Sequence, residues 1–216
     1  MLEKMDAFFE ARLAGYEEHM LQNIEGAGEF YPFTARHLPT APGAAILDLG
    51  CGTGLELNWY FRLNPTARVT GIDLSARMLD QLGQKFPGKG LELIQGSYFD
   101  VPLGENRFDG AVSVESLHHF TQAEKIPLYT RLHAALKDSA AFVLTDYFAR
   151  DEAEEQALRR ELLRLKEEQG IPAADFYHFD TPLTVEHETQ ALTAAGFRKI
   201  EILGRWAATV TLRAVK

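Results

Sequence analysis

The sequence predicts an α/β fold in which a mostly parallel β-sheet lies between layers of helices. Short apolar runs alternate with helix-forming segments along most of the chain, and this alternation is typical of crossover units that build parallel sheets. The apolar runs are mostly continuous, which indicates strands that are buried on both faces. A glycine-rich turn, residues 50–54, directly follows the first run, so the backbone there can approach a ligand closely.

The first elements follow from hydrophobic periodicity. Apolar residues at three- and four-residue steps predict helices over residues 1–40, which would form a lid on the sheet. Five strands and three helices are then predicted in alternation. The strands are placed near 44–49, 67–72, 91–95, 108–114 and 140–146. The helices are placed near 54–63, 75–85 and 121–136.

The last third of the chain departs from this alternation. A charged helix at 151–169, with acidic residues in its first turn, begins a helical insertion over residues 150–180. Two strands that form an antiparallel pair close the chain, and Gly204 is predicted to make the turn between them. These strands are placed at 198–203 and 206–215.

Composition limits the classes of function. The formal net charge of −9 argues against a nucleic-acid partner, because phosphate binding requires clustered Lys and Arg. No apolar run approaches the roughly 20 residues of a membrane span, so membrane insertion is not expected. A single cysteine, Cys51, and an N-terminus without a signal-peptide pattern fit a cytoplasmic protein. We expect one domain over residues 1–216, acting on a small molecule as a monomer or a homodimer.

The glycine spacing indicates what kind of ligand binds. A phosphate-binding G-x-G-x-x-G pattern would need glycine at position 55, which is Leu55, and no Gly-Lys-Ser/Thr follows. Asp48 stands just ahead of the glycines, where a carboxylate would repel pyrophosphate but would suit a cationic ligand. Asp73, at the end of the next strand, is placed to accept both hydroxyls of a ribose. The pattern therefore predicts a nucleoside-containing, cationic ligand without phosphate.

Several motifs resemble one enzyme family. The stretch Asp48-Leu49-Gly50-Cys51-Gly52-Thr53-Gly54 resembles the first motif of the class I S-adenosylmethionine-dependent methyltransferases. Residues 69–75, 108–113 and 116–120 resemble the later motifs of that family, and the likeness covers roughly residues 30–216. The chain resembles the bacterial small-molecule branch of that family. The resemblance implies a three-layer Rossmann-like sandwich whose seven-stranded sheet has its last strand antiparallel. It also implies S-adenosylmethionine as methyl donor and S-adenosylhomocysteine as product.

The resemblance implies a set of cofactor-binding residues around the ends of the first four strands. They are Asp48, Gly50, Cys51, Gly52, Gly54, Asp73, Leu74, Met78, Gly96, Ser97, Tyr98 and Val114. One position departs from the family, because Ser97 stands where an acidic residue usually faces the adenine amino group. Two replacements are open. The Ser97 hydroxyl with the backbone amide of Tyr98 can make this contact, or the carboxylate of Asp100 can.

Candidate residues for the acceptor side follow from the same resemblance. His118 and His119 lie in the loop after the fourth strand, and an imidazole there can transfer a proton near neutral pH or can be structural. A metal is not expected, because neighbouring side chains usually point apart and no third ligand has a recognisable spacing. The candidates for substrate binding are Tyr16, Tyr31, Asp146, Tyr147 and Tyr177.

The expected reaction is an in-line transfer of a methyl group to a small-molecule acceptor. A sulfonium donor is already activated, so the protein mainly positions the reactants and excludes water. Two alternatives stay open. The chain could convert S-adenosylmethionine itself into a carboxylated derivative, with Arg36 as the candidate for holding the carboxylate. It could also be a regulator that binds S-adenosylmethionine without catalysis.

Overall fold

The strands of the protein form one sheet. They are β1 (Ala45–Leu49), β2 (Arg68–Asp73), β3 (Gly90–Gln95), β4 (Phe108–Val114), β5 (Leu136–Tyr147), β6 (Arg198–Trp206) and β7 (Thr209–Val215). In the computed structural model, which describes residues 1–172 and 175–216, these seven strands are ordered β3-β2-β1-β4-β5-β7-β6. Strands β1 to β5 pair in parallel, whereas β7 is antiparallel to both β5 and β6. The predicted sheet is confirmed.

Helices cover both faces of the sheet. They are α1 (Met5–Arg12), α2 (Tyr16–Asn23), α3 (Ala27–Arg36), α4 (Leu57–Leu63), α5 (Ala76–Lys85), α6 (Gln122–Ala135), α7 (Glu152–Glu168) and α8 (Val185–Ala194). One apolar core lies between the sheet and helices α6 and α8, and another lies between the sheet and helices α3, α4 and α5. Burial of both sheet faces gives the predicted three-layer sandwich and explains why the strand sequences are continuous apolar runs.

The turn predicted at Gly204 is wrong. Gly204 lies inside β6, and the chain reverses at Ala207 and Ala208, where Ala207 has a φ of 48°. A Cβ atom at position 204 would lie 2.5 Å from the ring of Trp206 and 3.2 Å from the ring of Phe33. Glycine is therefore present because two aromatic rings approach the backbone closely, not because the chain turns there.

Strand β5 begins earlier than predicted. Phe108 pairs with Leu136, and an irregularity then brings Gly110 opposite Ala141. The residues between Leu136 and Ala141 are mostly polar, so the sequence suggests a connection rather than a strand. They lie at the shift in register, where the regular apolar pattern of the strand is interrupted.

The N-terminus lies against the segment that follows α7. Lys4 forms an isolated antiparallel bridge with Tyr177, and the amide of His178 donates to the carbonyl of Glu3 at 2.9 Å. The rings of Phe8 and His178 stack with centroids 3.4 Å apart. The predicted insertion is thus one helix followed by a non-helical segment, of which residues 173 and 174 lie outside the described residues. Every helix within the described residues is too short or too polar to cross a membrane.

Candidate active site

A cavity opens at the carboxyl ends of β1, β2 and β4. Ligands of open parallel sheets bind at this edge. The N-terminal helices supply one wall through Met5, Phe9 and Tyr16. Seven of the predicted cofactor residues also line the cavity: Gly50, Gly52, Asp73, Leu74, Met78, Ser97 and Tyr98.

The glycine loop, residues 50–54, brings bare backbone to the cavity. The amides of Gly50 and Cys51 donate to the carbonyl of Ile72 at 2.8 and 3.2 Å, which ties the loop to β2. Gly50 has a φ of 73°, and a Cβ there would lie 1.9 Å from the hydroxyl of Ser116. Position 50 therefore requires glycine both for its backbone conformation and for space. Cys51 and Gly54 face protein neighbours and do not line the cavity.

Asp73 is fixed by the backbone around it. One carboxylate oxygen accepts from the amide of Gly52 at 2.9 Å, and the other accepts from the amide of Ser75 at 2.9 Å. Burial raises the pKa of Asp73, and these amide hydrogen bonds oppose that rise. Each oxygen keeps a lone pair for a further donor. The side chain is therefore oriented in advance to accept two hydroxyl hydrogen bonds from a ligand.

The segment after β3 holds both candidates for the adenine contact, and only one of them lines the cavity. Ser97 lines the cavity, and its hydroxyl accepts from the amide of Phe99 at 3.1 Å. Asp100 is exposed and does not line the cavity. This placement favours Ser97, with the neighbouring amide of Tyr98, over Asp100. Gly96 and Val114, two further predicted cofactor residues, do not line the cavity.

In the loop after β4, two imidazoles lie close to a carboxylate that is distant in sequence. The rings of His118 and His119 have centroids 4.0 Å apart, so the expectation that these neighbours point apart is wrong. Asp180 lies 3.4 Å from His118 Nε2 and 3.4 Å from His119 Nδ1. Thr181 holds this arrangement, because its amide and hydroxyl donate to the carbonyls of His118 and His119, each at 3.0 Å. We call His118, His119 and Asp180 the histidine cluster.

Asp146 holds His118 of the histidine cluster in place. Its carboxylate accepts from His118 Nδ1 at 2.6 Å and from the amide of Leu117 at 2.9 Å. Burial lowers the pKa of His118, but the charges and hydrogen bonds of Asp146 and Asp180 outweigh it and bring the pKa to about 10. Burial and the charge of His118 hold the pKa of His119 well below its usual value. His119 is therefore neutral at pH 7, and it lines the cavity.

Glu115 is a cavity residue that the sequence reading missed. It follows β4 with a φ of 49°, lines the cavity and accepts from the hydroxyl of Thr209 at 3.0 Å. Burial and the charge of Asp146 raise the pKa of Glu115 to about 7, although the His118 charge opposes this. The signal in the sequence was its position at the carboxyl end of a buried strand. A side chain with this pKa can accept a proton near neutral pH.

Comparison with known proteins identifies the central part of the chain. Residues 46–139, which hold the glycine loop, Asp73 and the histidine pair, match the family model described as a methyltransferase domain. This match supports the resemblance to the class I S-adenosylmethionine-dependent methyltransferases, and with it the cofactor expected from the sequence.

Relatives of the chain are named for different methyl acceptors. A sterol 24-C-methyltransferase of Gibberella zeae is 25% identical over 169 residues, covering 76% of this chain and 42% of that protein. A 2-phytyl-1,4-naphthoquinone methyltransferase of a Nostoc species is 31% identical over 111 residues, covering 49% of this chain and 48% of that protein. The chain spans about half the length of the curated relatives it matches.

Solved structures share the fold of this chain. Human N-acetylserotonin methyltransferase in complex with S-adenosylmethionine superimposes with a TM-score of 0.66 at 19% identity, covering 98% of this chain and 59% of that chain. A cyclopropane synthase of Mycobacterium tuberculosis superimposes with a TM-score of 0.60 at 17% identity, covering 82% of this chain and 63% of that chain. These likenesses concern the fold alone.

Asp48 lies behind the glycine loop and does not line the cavity. It is 1% exposed and Glu56 is 4% exposed. One carboxylate oxygen of each residue, and the hydroxyl of Thr53, are buried without a hydrogen-bond partner in the described protein. Burial, followed by the charge of Glu56, raises the pKa of Asp48 well above its usual value. Folding therefore places two acids where they cannot both ionise without penalty.

Replacing Asp48 with asparagine should stabilise the protein at neutral and alkaline pH. Because the folded-state pKa of Asp48 is raised, this carboxyl favours folding at acidic pH and loses that contribution as pH rises through the folded-state pKa. We expect a gain of about 1–3 kcal/mol at pH 8, the usual penalty for a poorly compensated buried polar group, and little gain at pH 4. Urea unfolding at both pH values measures this. The exposed Asp80→Asn is the control, and an equal gain in both variants would contradict the assignment.

The residues predicted to bind substrate occupy different places in the structure. Tyr16 lines the cavity, and burial and the charge of Asp73 raise its pKa, so its hydroxyl keeps its proton. Tyr31 is buried in the core between α3 and the sheet. Asp146 is bonded to His118, and Tyr177 pairs with the N-terminal segment. Tyr147 lines a separate groove at the end of β5.

Sequence reasoning missed most of the apolar surface of the cavity. Four phenylalanines line it, and we call them the aromatic wall: Phe9, Phe99, Phe120 and Phe176. The ring centroids of Phe99 and Phe120 are 4.6 Å apart, and those of Phe120 and Phe176 are 5.6 Å apart. These residues come from separate parts of the chain, so no local spacing could indicate that they meet.

Proposed function

We propose that the chain is an enzyme that transfers the methyl group of S-adenosylmethionine to a small apolar acceptor by in-line displacement. The observation that carries this proposal is the composition of one continuous cavity. The glycine loop and Asp73 lie on the same cavity as the aromatic wall, His119 and Glu115. A cofactor site and an acceptor site that share a cavity allow direct transfer, since bound reactants can then meet without an intermediate carrier.

Charge supports a cationic cofactor at this site. Asp73 and Glu115 line the cavity, and no Lys or Arg is among the described residues that line it. Carboxylates without basic neighbours attract a sulfonium and repel a pyrophosphate. The ribose hydroxyls would donate to Asp73, whose orientation is already set by Gly52 and Ser75. Ser97 and Tyr98 would lie against the adenine.

The aromatic wall supports an apolar acceptor. Its rings, with Met5 and Met78, give the cavity a mainly apolar lining, and such linings bind ligands by burying apolar surface. Two relatives are named for a sterol and for 2-phytyl-1,4-naphthoquinone, which are also apolar compounds. If the acceptor must lose a proton, His119 and Glu115 are the titratable groups placed to accept it. The net charge of −9 argues against a nucleic acid as the acceptor.

The alternative in which S-adenosylmethionine itself is carboxylated loses its candidate residue. Arg36 is exposed at the end of α3 and does not line the cavity. The proposal of a non-catalytic regulator would require a closed acceptor side, whereas the cavity continues past the cofactor residues to His119 and Phe176.

Incubation with S-adenosylmethionine labelled in its methyl group tests the proposal. The purified protein is mixed with an organic extract of cellular metabolites, and we expect label in an apolar product together with S-adenosylhomocysteine. The Asp73→Ala protein serves as the control and should give no labelled product. Binding of the cofactor without any transfer, across extracts of differing polarity, would favour the regulator. Loss of the cofactor to a carboxylated derivative would favour the second alternative.

A further inference from the structure

The histidine cluster has the dimensions of a metal site. One ligand atom from each of His118, His119 and Asp180 lies within 4.8 Å of the other two. The two measured nitrogen–oxygen separations are both 3.4 Å. A tetrahedral ion with metal–ligand bonds of about 2.0–2.1 Å holds its ligand atoms roughly 3.3–3.4 Å apart. The separations are long for hydrogen bonds and fit two edges of such a tetrahedron.

The hydrogen bonding of His118 is that of a metal ligand. A carboxylate can only accept, so Asp146 accepts from His118 Nδ1–H at 2.6 Å, and this leaves Nε2 directed toward Asp180. Metal-binding histidines commonly donate their second ring nitrogen to a carboxylate, which fixes the tautomer and the ring orientation. Asp146 is itself held by the amides of Leu117 and Tyr147, each at 2.9 Å. The imidazole is therefore oriented before any ion arrives.

The charges around the cluster suit a divalent cation. The carboxylates of Glu115, Asp146 and Asp180 all lie beside His118, and a ligand atom of Glu115 lies within 4.8 Å of ligand atoms of His118 and Asp146. A cation bound between His118 and Asp180 would replace a proton on His118 Nε2, because histidine releases its proton when it binds a metal.

We infer that His118, His119 and Asp180 bind a first-row divalent transition-metal ion, with Asp146 orienting His118. Two imidazoles and one carboxylate leave a coordination position open, which is the arrangement of catalytic rather than structural zinc sites. His119 lies on the cavity wall, so an ion at this site borders the acceptor side of the cavity. An ion there could bind an acceptor oxygen, and Glu115 would then remain as the proton acceptor. This last consequence rests on the proposed methyl transfer, whereas metal binding does not.

Calorimetric titration of Zn²⁺ into tag-free, chelator-treated protein tests the inference. We expect one site per chain with micromolar or tighter affinity, and binding requires His119 Nδ1 to release the proton that it donates to the carbonyl of Phe179 at 3.2 Å. Asp180→Ala should weaken this binding at least tenfold. The side chain of Asp180 is 47% exposed, so the fold should tolerate the change. Titration with Co²⁺ should give the visible absorption of a low-symmetry site, and Asp180→Ala should remove that absorption.

Controls separate this site from adventitious binding. Asp175→Ala removes an exposed carboxylate from the same segment, and His187→Ala removes an imidazole that lies 2.9 Å from the carboxylate of Glu155. Both variants should bind Zn²⁺ as the wild type does. No stoichiometric binding by the wild type, or an equal loss in Asp180→Ala and a control, overturns the inference. Since no methyl acceptor takes part, this result is independent of the labelling experiment.

Discussion

Asp73→Ala is expected to weaken S-adenosylmethionine binding at least 100-fold while the protein stays folded. The two oxygens of Asp73 are placed to accept from the ribose hydroxyls, and a hydrogen bond to a charged group contributes about 1.5–3 kcal/mol. Losing two such bonds corresponds to roughly 100-fold or more in affinity. The variant also loses the acceptors for the amides of Gly52 and Ser75, so the glycine loop and the start of α5 would be less rigid. Calorimetry of cofactor binding measures the change.

A matched control comes from the neighbouring helix. Asp80 is an exposed carboxylate of α5, and Asp80→Ala should bind S-adenosylmethionine with the affinity of the wild type. Circular dichroism and thermal unfolding show whether Asp73→Ala keeps its structure. A well-folded Asp73→Ala protein with unchanged affinity would show that the ribose binds elsewhere. That outcome would remove the basis for placing the cofactor at the ends of β1 and β2.

Lys125→Met is expected to destabilise the protein by about 3–5 kcal/mol, the usual effect of leaving one partner of a buried ion pair alone. Lys125 on α6 is 1% exposed and Glu188 on α8 is fully buried, and their charged atoms lie 2.5 Å apart. Tyr129 donates to the other carboxylate oxygen of Glu188. Without Lys125, the Glu188 carboxylate would be buried with a single neutral partner. Urea unfolding gives the change in the free energy of unfolding.

Two further variants isolate the cause of that loss. The double change Lys125→Met with Glu188→Gln removes the unpaired charge but keeps an acceptor for Tyr129, so it should recover most of the stability. Lys137→Met breaks a pair with Asp109 in which the lysine side chain is 45% exposed, and we expect at most about 1 kcal/mol there. A double variant as unstable as the single one would mean that lost packing, rather than an unpaired charge, explains the effect.

The candidate site divides into a part that the sequence could predict and a part that it could not. Gly50, Gly52 and Asp73 were predicted because a strand, a glycine turn and the end of the next strand are local patterns with a fixed spatial relation. The partner of His118 and His119 was not predicted. Asp180 lies in a segment without regular structure, and only packing of that segment against the loop after β4 brings it near the two rings.

The fold shows the same division. Alternating apolar strands and amphipathic helices determined the parallel sheet, its two covered faces and the edge where the cavity lies, since these features follow from periodicity along the chain. Tertiary structure alone decided which distant side chains meet. It placed Lys125 beside Glu188 in the core, and it packed Trp206 against Gly204 so that the final turn falls elsewhere. The physical reason is that backbone patterns repeat within a few residues, whereas contacts between side chains depend on how whole elements pack in three dimensions.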